Sequence, residues 1–172
     1  MKKLEFLLLL VALNSEGAWA VKPVVQAGQS IEKSNQLVCA NAQLNLKSRL
    51  SKKTASSPAV VINQRLQLEA AKTPLPPEKP PAGVQIKNKN HPPMYLSGWA
   101  CVTNAQGQAF FYLAFYCAQE NVCAGNKEWA RLMALDGTIL NTQPGGLETV
   151  MRQRGLEGYL EKGVDLLDPL EP

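Results

Sequence analysis

Beyond the first twenty positions, every aromatic side chain of this chain lies in its C-terminal half: Tyr95, Trp99, Phe110, Phe111, Tyr112, Phe115, Tyr116, Trp129 and Tyr159. None falls between residues 21 and 94. Large apolar side chains dominate core energetics, so a core built on them can form in one half only. Charge divides at nearly the same place. Residues 21–90 hold eleven Lys/Arg against three Glu, whereas residues 91–172 hold five against nine acidic groups. The two asymmetries argue against a uniform globule and for a folded acidic domain preceded by a basic segment.

The N-terminus reads as an address. Lys2 and Lys3 precede an unbroken apolar run, Phe6 to Leu13, and Ala18-Trp19-Ala20 fits the small-x-small cleavage rule. The run is far short of the roughly 20 residues a spanning helix needs. The expectation is a signal peptide over 1–20, cleaved after Ala20, and a periplasmic or secreted product with no transmembrane segment after cleavage. In an oxidising compartment the four cysteines form disulfides, with three connectivities open. The favoured one pairs Cys117 with Cys123 and uses Cys39–Cys101 as a bridge between the halves. Without a C-x-x-C pair, zinc is disfavoured, and no cofactor is expected.

Residues 21–72 form the basic segment, with 22–36 expected as a mobile lead-in. Leu44, Leu46 and Leu50 then alternate on one face with Ser48, as do Val60, Ile62, Leu66 and Leu68 with Gln64. Period-two alternation favours strands, although helix formers leave a helical reading of 32–50 open. Either way the segment is expected as an extended arm that adds strands at most. Residues 73–93 carry seven prolines and read as a linker without regular structure.

Residues 94–172 are expected as an α+β domain, a disulfide-braced antiparallel meander of about four strands with short C-terminal helices. Met94–Thr103 and Ala109–Cys117 predict a hairpin with Gly107 at a left-handed position. The second strand is apolar on both faces, which suits a central strand covered twice. Glu128–Leu135 supplies a third strand, and Asp136-Gly137 predicts a tight turn into a fourth over Thr138–Asn141. Leu147, Val150 and Met151 share a helix face; Gly155 breaks that helix, and a second runs to Lys162-Gly163.

Little catalytic chemistry is visible. His91 is the sole histidine and sits among prolines, where nothing positions it as a base. Glu120, Glu128, Asp136, Asp165 and Asp168 are the carboxylates a small hydrolase would have to pair. The basic residues, above all Lys47, Arg49, Lys52 and Lys53, suit an anionic envelope surface or an acidic envelope protein. No aromatics interleave with them for base stacking, so nucleic acid is not expected.

The loop Cys-Ala-Gln-Glu-Asn-Val-Cys (117–123) offers Gln119 and Glu120 at its tip. It resembles in form the inhibitory loop of periplasmic vertebrate-type lysozyme inhibitors, in which such a loop presents a histidine to the enzyme. That resemblance implies an inhibitor acting through the Cys117–Cys123 loop. The expectation from the residues themselves is a non-enzymatic binding or assembly module of the bacterial cell envelope. The inhibitor and the hydrolase are its rivals.

Overall fold

The computed structural model describes residues 30–51, 59–69, 75, 94–117, 128–142 and 146–170. They form two three-stranded antiparallel sheets and two short helices. The first sheet has the order β1 (Ser30–Cys39), β2 (Ala42–Ser51), β3 (Val60–Leu68), and the second β4 (Met94–Thr103), β5 (Ala109–Cys117), β6 (Glu128–Met133). The helices are α1 (Leu147–Gln153) and α2 (Glu157–Lys162). Among the described residues no helix is long and apolar enough to cross a membrane.

The basic segment is therefore a sheet, not an extended arm. Ser30–Gln36, expected as a lead-in, is most of β1, and the helical reading of 32–50 gives way to β1 and β2. Its aliphatic side chains do not need a core of their own. Leu37, Leu44, Leu46 and Leu68 pack against Leu96, Trp99, Phe111, Leu113 and Phe115 of the second sheet, forming one buried layer. Burying each such side chain is worth about 1.5–3 kcal/mol, so the aromatic half stabilises the aliphatic one.

Alternation holds on β2, where Leu44, Leu46, Ser48 and Leu50 are all buried. It fails on β3. A bulge shifts the pairing between Arg49 and Leu50, so Leu50 faces Val61 while Arg49 faces Asn63. The extra residue reverses the faces on either side of it. Val61 is buried instead of Val60 and Ile62, while Gln64, Leu66 and Leu68 keep the inward face.

β5 is central and covered twice. Phe111, Leu113 and Phe115 face the first sheet, while Phe110 joins Ala100, Val102 and Leu132 under Met151 and Leu156 of the helical layer. Asn104 fixes that layer to the β4–β5 turn. Its Oδ1 accepts the Gln106 and Gln108 N–H groups, and its Nδ2 donates to the Arg154 carbonyl at 2.9 Å. Gly107, Gly137 and Gly155 all adopt positive φ, which suits a residue without Cβ at each of the three turns.

The expected fourth strand is absent from the second sheet. Thr138–Asn141 makes only an isolated bridge, Ile139 to Met133. Asn141 completes the pairing with its side chain: Oδ1 accepts the Leu132 N–H at 2.7 Å and Nδ2 donates to Ala130 O at 2.9 Å. A buried side-chain amide thus satisfies the β6 backbone where a strand residue was expected.

The opposite edge, β4, is closed by the same device. Gln64 of β3 accepts the Leu96 N–H at 2.6 Å and donates to Leu96 O at 3.2 Å. Further along, Trp99 exchanges two backbone bonds with Leu167, and the Thr103 N–H donates to the Tyr159 hydroxyl. Between them Cys101 is bonded to Cys39 of β1, the expected crossing bridge. An edge so occupied offers few free groups to another chain's strand.

Candidate functional site

The first sheet has one covered and one open face. Inward positions form the core, so the alternate positions of all three strands point outward. Strand register arranges these as rows: Glu32–Arg49–Asn63, Ser34–Lys47–Arg65 and Gln36–Asn45–Gln67. Adjacent strands lie about 4.8 Å apart, so each row is a short ladder of polar groups.

Two adjoining hollows lie on this face. One, of about 270 Å³, is lined by Glu32, Ser34, Lys47, Arg49, Asn63 and Arg65. The other, of about 350 Å³, shares Ser34 and Lys47 and adds Gln36, Asn45, Gln67 and Glu69. Lys47 stands where they meet. The amides are partly tied to each other: Gln43 Nε2 donates to Gln36 Oε1 at 3.2 Å and to Asn45 Oδ1 at 2.9 Å.

The charges are arranged unusually. Lys47 and Arg65 are direct cross-strand partners, both exposed, and like charges in that relation destabilise a sheet. Arg49 lies diagonally beside them, with its guanidinium on Ser30 Oγ at 3.1 and 3.3 Å. Among the described residues no ion pair neutralises any of the three, although Glu32 faces Arg49 across the strands. The face presents three cations, hydroxyls and amides, with Glu32 and Glu69 as its carboxylates and no aromatic ring. It can bind an anion through charge and several donors at once.

Of the residues singled out from sequence, Lys47 and Arg49 are thus brought together on one face. Lys52, Lys53, Gln119, Glu120, Cys123 and His91 lie outside the described residues. Cys117 is disulfide-bonded. Arg65 and the amide rows were missed, because they emerge only when β3 is paired with β2 in register. The odd positions Asn63, Arg65 and Gln67 of the alternating β3 segment were the available signal.

Two of the carboxylates offered for hydrolysis have turn-forming roles. Asp136 Oδ1 accepts the Thr138 N–H at 2.9 Å, which holds its carboxyl below the usual range. Asp168 Oδ1 accepts the Leu170 N–H at 2.7 Å. Glu128 and Asp168 both lie near Tyr95, which stacks at a tilt on Tyr116 with ring centroids 5.6 Å apart. Burial first, then the neighbouring Tyr116, Asp168 and Glu128, pushes the Tyr95 hydroxyl above its ordinary pKa. Among the described residues no group of three or more His, Cys, Asp or Glu is placed to hold a metal ion.

Compared with protein-family models, curated proteins and solved structures, the chain matches none of them. The functional reading therefore rests on the residues and their geometry.

Proposed function

We propose that this chain is an exported binding module of the bacterial envelope, and that the open face of its first sheet docks an anionic envelope surface. The observation that carries the reading is the directly opposed Lys47–Arg65 pair, with no ion pair to either among the described residues and with Arg49 beside it, itself opposite Glu32. An arrangement that costs stability in the free protein is relieved when phosphate or carboxylate groups lie across it. The signal-like N-terminus and the disulfides support export. The absence of rings from the face favours charged headgroups over stacked bases or sugars.

Sedimentation with vesicles tests this. The full chain is expected to bind vesicles bearing anionic headgroups, to ignore neutral ones, and to lose binding as salt rises. A basic side chain near an anionic surface contributes about 1 kcal/mol, so Lys47→Gln with Arg65→Gln should weaken binding about thirty-fold. The same double variant should be at least as stable to urea as the parent, because like-charge repulsion is removed. Equal binding by parent and variant would overturn the assignment of the face. Binding by neither, with an acidic protein captured instead, would overturn the choice of partner.

A further inference from the structure

The segment following α2 is seated across both sheets. Gly163 leads out of the helix at φ 82°, ψ 165°, a conformation essentially confined to glycine. Leu167 then bridges Trp99 on the β4 edge, with N···O distances of 3.1 and 2.9 Å. Pro169 is fully buried, and its carbonyl accepts a bond from Asn35 Nδ2. Lys33 Nζ donates to the Leu170 carbonyl at 2.5 Å. Lys33 and Asn35 occupy inward positions of β1, opposite Ser48 and Leu46, where apolar side chains were due. They are polar because the groove between β1 and β4 holds a peptide backbone.

Most of these bonds are to the main chain of the segment, and Gly163 is the hinge that connects it to α2. Its leucines are poorly covered: Leu166 is 42% and Leu167 59% exposed, two of the three exposed large hydrophobics among the described residues. We propose that this groove is an interaction site for residues 164–170 of a second copy of the chain, so that two copies exchange these segments. The fit of the occupant is already on view, since the identical segment fills the groove within one chain. Exchange keeps every contact and alters only which copy supplies it, which makes it a low-cost route to a dimer. This proposal does not depend on the anionic-surface reading.

Gly98 provides the test. A Cβ at that position would lie 3.2 Å from Leu166 Cβ, within a few tenths of an ångström of disulfide reach. It would also meet Leu166 Cδ1 at 3.0 Å, so a side chain there presses the resident segment outward. Full-length Gly98→Cys and Leu166→Cys proteins are mixed at high concentration and oxidised, and the double variant is oxidised alone. The expected result is a covalent heterodimer in the mixture, well above that from Gly98→Cys mixed with Gly158→Cys, whose site is open. A closed monomeric double variant with no heterodimer above this control would overturn the exchange. A double variant that fails to close would overturn the seat itself. Neither outcome touches binding to vesicles.

Discussion

Replacing Cys39 and Cys101 together with alanine is expected to lower the free energy of unfolding by about 4 kcal/mol. The bridge spans 62 positions and joins β1 of one sheet to the edge strand β4 of the other. In the chain-entropy account, a closed loop of that length removes much of the unfolded chain's freedom. The consequence is architectural as well. Without the bridge, the sheets are joined by their apolar layer, by the Gln64–Leu96 bonds and by the segment after α2. Urea unfolding of the alanine pair, with the parent measured oxidised and reduced, checks this. A loss below about 1 kcal/mol would mean that the apolar layer alone sets how the sheets associate.

Substituting Gln64 by leucine is expected to cost about 3 kcal/mol, although it places an apolar side chain among apolar ones. Leu96 is buried, and both its N–H and its C=O depend on the Gln64 amide. Each buried backbone group left without a partner costs roughly 1–3 kcal/mol. Gln64→Glu separates packing from hydrogen bonding. A carboxylate can accept the Leu96 N–H but cannot donate to Leu96 O, whereas a protonated carboxyl can do both. Burial and the lost donor raise its folded pKa above the unfolded value, so its deficit is largest at neutral pH. The deficit shrinks as pH falls toward the ordinary glutamate value of about 4.3. A deficit independent of pH would show that the amide only fills space.

Much of the second sheet was legible from residues alone. The two apolar faces of β5 announced a central strand covered on both sides, and Gly107 and Asp136-Gly137 announced the turns. The favoured pairing of the four cysteines already contained the Cys39–Cys101 bridge. What escaped was non-local. Leu44 and Leu46 looked too weak for a core because the aromatic residues they pack with lie fifty or more positions away in the chain. A single bulge moved Val61 inward and Val60 and Ile62 aside. Gln64 and Asn141 complete sheet edges that local alternation assigns to strands. Lys33 and Asn35 point inward because their partners are carbonyls more than 130 positions away.

The candidate site shows the same division. Lys47 and Arg49 were visible as basic residues two apart, on one side of an alternating segment. Their meaning depended on Arg65, which lies in a different strand and becomes their neighbour through register alone. A directly opposed pair of cations is a property of pairing, and no reading of β2 by itself contains it.

We propose that this sheet face, and not the Cys117–Cys123 loop, is the partner surface. One binding measurement on three full-length proteins tests it most directly: the parent, the Lys47→Glu/Arg65→Glu double variant and Glu120→Ala. Each is titrated with vesicles bearing phosphorylated headgroups. Charge reversal on the face is expected to abolish binding, while Glu120→Ala is expected to bind as the parent does. Retained binding by the reversed face, or its loss in Glu120→Ala alone, would contradict it.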